Sequence, residues 1–564
     1  MATLCVLLWL AGCTSTPPAS QGDSAARSGR NTDISTDSLG STPIDIGAFN
    51  RVRDVAYRSG TREARVVHEQ LRANGLSKAT SQLIDSEIAW LEGDINRAQA
   101  LVAQLAPTQS ASQQALLNVR ISRAVAQQKW LLAAQWQADK LAAMRGPTQQ
   151  DIDQMWEFVL RAYPINSRER ARSRRTALGP WLSLADAYQL GREAVLNWRQ
   201  GNSGHLASRK PPSGMATWIK AQAPSTVATL LPLSGRLQQA GEALLAGMVS
   251  ALYSRYPDAT QRPRLVAIDT EMFDSIEAAG DEALAEKADI ILGPLVKPRV
   301  SALARQADRK LPVIALNRGE LVDGVSSDWL TLSLAPEDEA QQLSELAFAQ
   351  GHRRAVFIAP NTEWGARMLE TSQETWRQLG GTVVDTLRIA REPALSAQIS
   401  QLVAGANSEE RIKAVEDAFV AAVDARPRRR QDIDNVFMLA ASPADARAIR
   451  PLLVYHFSGD LPVFAPSTIN SGFADSQNRD LNGVTFVDIP AVLESQPGQS
   501  LARLEALGQD AVMLIEHWQQ SLDTATPLLT GKTGLLLRQP SGNVRRILET
   551  ATFDGGVITP SRSY

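Results

Sequence analysis

Gly531-Lys532-Thr533, His68-Glu69 and Cys13 are the stretches whose side chains could carry chemistry. A loop that wraps phosphates in its backbone N–H groups needs a second glycine five residues before Gly531, and Thr526 stands there. A zinc-binding helix of the H-E-x-x-H kind needs a second histidine where the chain has Arg72. The five histidines never fall at metal-ligand spacing, and no Gly-x-Ser-x-Gly turn exposes a serine nucleophile. These residues predict no enzyme, no metal and no cofactor.

Cys13 differs in kind. It closes an apolar run from Leu4 to Gly12, too short to cross about 30 Å of hydrocarbon, which takes roughly 20 helical residues. Residues 1–12 therefore read as an export signal. The ending Leu10-Ala11-Gly12-Cys13 is similar to the bacterial lipoprotein signal, whose cysteine takes a diacylglyceryl group and becomes the first residue after cleavage. That resemblance makes Cys13 the lipidation site. Thr14, where Asp would resemble an inner-membrane retention signal, implies the periplasmic face of the outer membrane. No Lys or Arg opens the signal, so the true start of translation is expected a few codons upstream. Cys5 leaves with the signal, and the one remaining thiol allows no internal disulfide. Residues 13–43 are mostly Ser, Thr, Gly, Asp, Asn and Pro, a composition that cannot offset the entropy of ordering. They form a tether reaching typically about 30 Å, and about 100 Å when taut.

The bulk numbers set the frame for the rest. At 564 residues the chain should hold two or three cores. A net charge of −2 gives no bulk attraction for nucleic acid or anionic lipid.

Residues 44–208 read as helix, with Ala, Leu, Gln, Arg and Trp at spacings of three and four. Within them Ala89 to Leu105 aligns with Ala126 to Leu141, placing Ala98 on Ala134, Val102 on Ala138 and Leu105 on Leu141. The 36-residue offset is near the tetratricopeptide period; a tetratricopeptide-like (TPR-like) solenoid and a generic array of helical hairpins both satisfy it. The run "SRERARSRR" (Ser167 to Arg175) is a solvated face or a patch for a partner or an anionic glycan. Pro, Gly and Ser at 209–222 mark a linker.

From 223 to 564 apolar strands alternate with helices: "STVATLLPLSG", "RLVAIDT", "DIILGPL", "LPVIALN", then "RRAVFIAP", "GGTVVDTLRI", "DNVFMLAAS" and "DLPVFAPS". Such alternation predicts an α/β domain of two lobes, each a parallel sheet, with a cleft at the strands' carboxyl ends. Ser234, Gly235, Gly293, Pro294, Asn317 and Trp364 fall on the loops there and are the candidate cleft residues. A charged insertion at about 406–434 carries Ile412, Val415, Phe419 and Val423 at helical spacing, which predicts one packed face. Its Arg428, Arg429 and Arg430 are candidate contacts for an acidic partner.

"LLPLSG" with Gly241 and Gly247, "ILGPLVKPRV", "LPVIALN", "DNVFMLAASPADARAIRPLL" and "LTGKTGLLLRQPSGNVRR" resemble type I periplasmic binding proteins. With the signal, tether and helical region in front, the whole chain is similar to the penicillin-binding protein activators of the LpoA family. The resemblance implies a non-catalytic outer-membrane lipoprotein. Such a protein binds a class A penicillin-binding protein of the 1A type and stimulates peptidoglycan transpeptidation; peptidoglycan itself is a further partner left open. One departure lies in Trp198 to Ala207, "WRQGNSGHLA", where the family leads one to expect a proline-flanked histidine. Another bears on function. Amino-acid receptors of this fold offer hydroxyls after Gly-Pro, and here Leu295, Val296 and Lys297 follow. A solute-binding or sensing lipoprotein that closes on a small ligand is the alternative reading.

Overall fold

In the computed structural model the described residues are 43–560, apart from 107–108, 164, 166, 221–223, 307–308, 320–327, 390–394, 404, 419–427, 473–474, 495–500, 517–525 and 540. The expected signal, Cys13 and nearly all of the expected tether lie outside them.

Between Ile46 and Lys220 the described chain is helical. Strong helix formers fill it and polar caps set its ends. Ser77 Oγ accepts from Thr80 N, and Thr148 and Asp151 cap each other reciprocally ahead of the Gln149–Ala162 helix. The 36-residue offset reappears as burial: Ala98 and Ala134 are both 0% exposed, and Val102, Ala138, Leu105 and Leu141 are buried too. They lie on or just past the second helices of two hairpins, Lys78–Leu91 with Ile95–Ala103 and Ser110–Ala126 with Trp130–Ala143. Small side chains at those points let the paired helices approach closely.

The linker expected at 209–222 takes a different form. Ser213–Lys220 is a helix whose Met215 and Trp218 are 1% and 0% exposed. Ser213 N and Oγ both donate to Asp153, at 2.8 and 2.7 Å, and Trp218 meets Tyr188 edge-on at 4.9 Å. Proline is tolerated at a helix start, so Pro211 and Pro212 introduce the helix rather than a hinge. His205, in the departing stretch, caps the short Leu206–Arg209 helix through Nδ1 and packs edge-on against Trp181 and Trp198.

Beyond lie two sheets. Lobe 1 holds β1 (Thr226–Leu231), β2 (Arg264–Asp269), β3 (Ile290–Leu292), β4 (Val313–Ala315) and β5 (Trp329–Leu332). Lobe 2 holds β6 (Arg354–Pro360), β7 (Thr382–Ile389), β8 (Asn435–Met438), β9 (Val463–Ala465) and β10 (Val484–Asp488). Within each lobe these strands pair in parallel, and β1, β3, β4, β5 and β8 are buried along their whole length, as strands covered on both faces are. The chain then returns. β11 (Thr526–Gly531), β12 (Gly534–Arg538) and β13 (Asn543–Ile547) extend lobe 1 as an antiparallel meander; β14 (Glu549–Asp554) and β15 (Val557–Pro560) extend lobe 2 as a hairpin. The sheet orders are β11-β12-β13-β5-β4-β3-β1-β2 and β15-β14-β10-β9-β8-β6-β7. The lobes are thus joined by three crossings, at 332–336, 488–502 and 547–549.

Lobe 1 is closed by the helices Gln238–Arg255 and Ala502–Leu514, which touch backbone to backbone. A Cβ on Gly247 would lie 2.0 Å from Glu505 O, and one on Gly508 would lie 2.1 Å from Leu244 O. Only glycine fits at either position. The apolar core of lobe 1 runs without a break into the helical region, from Ile121 through Trp218 to Val544.

Candidate functional site

The carboxyl ends of the lobe 1 strands, the first crossing and two helices enclose a cavity of about 380 Å³ between the lobes. Leu295, Leu316, Leu504 and Leu507 give it apolar walls; Lys297, Arg318, Glu337 and Arg367 give it charge. The loop after β3 brings Leu295 and Lys297 and no hydroxyl, as the sequence predicts.

Of the six candidate cleft residues, Asn317 lines this cavity, and its amide is already committed. Nδ2 donates to Leu295 O at 3.0 Å while Oδ1 accepts from Arg318 N at 2.9 Å. The other five lie outside the lining. Gly293, at φ +119, lets β3 pass close to β1: a Cβ there would sit 2.3 Å from Leu230 O. Pro294 O accepts from Leu316 N at 3.1 Å. Ser234 and Gly235 turn toward Asp269 and Glu271. Burial pushes the Asp269 carboxyl up, but hydrogen bonds from Ser234, Glu271 N and Leu233 N outweigh it and leave the group below its ordinary value. Trp364 packs on the lobe 2 core one helical turn before Arg367. Arg318, Arg367 and Leu504 escape sequence reasoning because they arrive from three separate segments.

Beside the cavity the junction is polar and buried. Glu339 accepts from Ser467 N at 2.8 Å and from Ser467 Oγ at 2.9 Å, and burial pushes its pKa up to about 7 against the pull of Arg546. Asp488, also raised by burial, takes Arg503 Nη2 at 2.7 Å and Asn470 Nδ2 at 2.8 Å. Arg367 Nε lies 3.6 Å from Glu337.

The Gly-Lys-Thr stretch is the turn between β11 and β12. Buried Asp510 accepts from Lys532 N at 2.6 Å, Thr533 N at 2.8 Å and Thr533 Oγ1 at 2.5 Å, and burial raises its pKa to about 6. A carboxylate so placed repels phosphate. His68 is a core residue, its ring nitrogens 2.8 Å from Ser81 Oγ and 3.3 Å from Asp85, and burial holds the imidazole below its ordinary pKa. Among the described residues no group of three or more His, Cys, Asp or Glu could hold a metal ion, and no helix is long and apolar enough to cross a membrane.

The insertion departs from expectation. Its Gly405–Ala418 helix leaves Val415 41% exposed and Ile412 only half-buried, so the predicted packed face does not form there; Phe419 and Val423 lie outside the described residues. Arg428 is exposed. Arg429 reaches Asp460 through Nε at 3.0 Å and Nη2 at 2.7 Å, and its Nη1 donates to Arg430 O and Ile433 O. Arg430 holds Asp432 at 2.6 and 2.7 Å and Asp385 at 3.4 Å. Arg429 and Arg430 thus fold back onto lobe 2, each held by a carboxylate of this chain.

The chain is similar to several known proteins. The penicillin-binding protein activator LpoA of Photobacterium profundum is 27% identical over 390 residues, covering 66% of this chain and 63% of its own length. LpoA of Vibrio cholerae is 27% identical over 386 residues, covering 64% and 63%. This chain therefore matches somewhat under two thirds of those relatives. The crystal structure of full-length LpoA from Haemophilus influenzae superposes over 91% of this chain and 94% of its own, at 20% identity and a TM-score of 0.48. The C-domain of the same protein, described as a regulator of PBP1A, covers 60% of this chain at 22% identity and a TM-score of 0.48. A family profile described as LppC putative lipoprotein matches residues 133–556, three quarters of the chain, and the chain belongs to that family.

Proposed function

We propose that this chain is an outer-membrane lipoprotein, anchored through lipid on Cys13, that binds a class A penicillin-binding protein of the 1A type and stimulates its peptidoglycan transpeptidation. One observation carries the reading. The domain keeps a two-lobed binding-protein fold, yet the loop after β3 offers Leu295 and Lys297 where a receptor offers hydroxyls, and the amide of Asn317 is spent on its own neighbours. A domain of this kind acts through its outer surface. The names of the P. profundum and V. cholerae relatives support the partner. The tether of residues 13–43 supplies reach from the membrane, and the helical region supplies a second surface.

Mixing the lipid-free protein with a class A penicillin-binding protein and measuring cross-linked muropeptides tests it. Cross-linking rises if the reading is right; binding without stimulation would overturn it. Arg428 lies on the surface of lobe 2. Arg428→Glu is expected to weaken binding most at low salt. The cavity alone favours the second reading, a receptor closing on a small ligand. A small ligand at 100 times its dissociation constant would then add about 2.7 kcal/mol of stability.

A further inference from the structure

Four ion pairs that cross from one lobe to the other, Arg318–Asp338, Arg503–Asp488, Arg545–Glu345 and Arg546–Asp338, share one polarity. Arg318 follows β4, Arg503 opens the Ala502–Leu514 helix, and Arg545 and Arg546 lie on β13, so every arginine comes from lobe 1. Asp338 and Glu345 lie on the Pro336–Ala349 helix and Asp488 ends β10, so every acid comes from lobe 2.

Each contact has a buried or nearly buried member: Asp338, Asp488 or Arg545. Arg318 Nη2 lies 2.6 Å from Asp338 Oδ1, and Arg503 Nη2 lies 2.7 Å from Asp488 Oδ2. Arg545 grips Glu345 with two parallel bonds of 3.1 and 2.8 Å, and Arg546, 1% exposed, stands 3.9 Å from Asp338. Between them Gln342 pairs with both backbone groups of Leu548, at 2.7 and 2.8 Å, where the chain passes from β13 to β14. Asp338 and Glu345 are seven residues apart on one helix, about 10 Å along its axis. A hinge motion that keeps one of these pairs therefore stretches the other. Buried pairs are screened little by salt, and two-pronged arginine–carboxylate geometry is directional.

We propose that these pairs form a clasp that holds the two lobes at one fixed angle, so that the domain meets its partner as a rigid body and its cleft does not close. The clasp stands whether or not the partner named above is the right one.

Distance measurements across the cleft test it. Spin labels go on Arg236→Cys and Glu363→Cys, two exposed positions just past β1 and β6, in the full chain with Cys5 and Cys13 changed to Ser. Electron–electron resonance should give one narrow distance distribution, unchanged between 0 and roughly 0.5 M salt. The width should at least double in R545E and return in R545E/E345R. Should R545E lose its far-UV circular dichroism, Arg545→Gln takes its place with the same expectation. A broad or two-peaked distribution in the unsubstituted chain overturns the clasp. So does a narrow one in the single variant, or a double reversal that stays broad.

Discussion

Two seams divide this molecule, and they are built from opposite materials. Where the helical region meets lobe 1 the contact is apolar: the Gln149–Ala162 helix lies against β11, Trp218 packs on Tyr188, and one core continues across the boundary. Where lobe 1 meets lobe 2 the large apolar clusters are separate, though Ala506 of lobe 1 joins the lobe 2 cluster, and arginine–carboxylate pairs cross beside the leucine-walled cavity. Apolar burial is non-directional and binds two bodies into one. Buried ion pairs add little net stability but tolerate few geometries, and breaking one strands a charge. The first seam makes a single folding body of the helices and lobe 1; the second sets an angle.

Trp218→Ala strikes the apolar seam hardest. Emptying a fully buried tryptophan site should cost about 3–5 kcal/mol. Hydrogen exchange read by segment should lose protection in the helical region and lobe 1 together and keep it in lobe 2. Loss confined to residues 149–220 would mean the shared core is two cores.

Acid should then separate the regions by sign. Glu339, Asp510 and Asp488 have folded pKa values raised by burial, so the α/β domain gains stability as pH falls from about 7 toward their unfolded values near 4. His68 and His205 in the helical region are held low by burial, so their contribution is full at pH 7.5 and shrinks once pH drops through about 6.5. His352 opposes the trend in lobe 2, one group against the two carboxyls Glu339 and Asp488. Carboxylates held low, such as Asp269 and Asp460, act only below about pH 4. Glu339→Gln keeps an acceptor for Ser467 and removes one of the raised carboxyls. The variant should lose on the order of 2–3 kcal/mol of pH dependence between pH 4.5 and 7.5, measured by urea denaturation. Between pH 7.5 and 5.5, amide protection should fall around Ser81 and Trp181 and rise around Ser467; parallel changes would collapse the distinction between the seams.

How much of this the sequence discloses follows from the range of the interactions. The helical hairpins are local, and Ala98 and Ala134 disclose both spacing and burial. The parallel strands are apolar runs between turns, so the two lobes are legible as well, and the hydroxyl-free loop after Gly293-Pro294 can be read directly. The junction cannot: Arg503, Leu504 and Leu507 reach it from a helix far downstream, and Arg546 meets Asp338 across more than two hundred residues. The segment at 209–222 misleads because its prolines and serine hide Met215 and Trp218, whose burial decides the outcome. Arg429 and Arg430 mislead similarly, since nothing local places Asp460 or Asp385 beside them.

The finest test lies inside the helical region, where the two aligned hairpins turn alike with different residues. Gly93 makes the first turn at φ +84, and Gln128 makes the second at φ +55, with Gln128 N bonded to Val125 O and Lys129 N to Ala124 O. A side chain in that left-handed conformation costs roughly 1–2 kcal/mol that glycine avoids, partly offset by glycine's greater freedom when unfolded. Gln128→Gly should therefore stabilise the chain by up to about 1 kcal/mol, and Gly93→Ala should destabilise it by about as much. Thermal midpoints moving in opposite directions would make the two hairpins one repeated unit down to the turn. If both fall, Gln128 is holding its turn through its half-buried side chain, and the repeat stops at the helices.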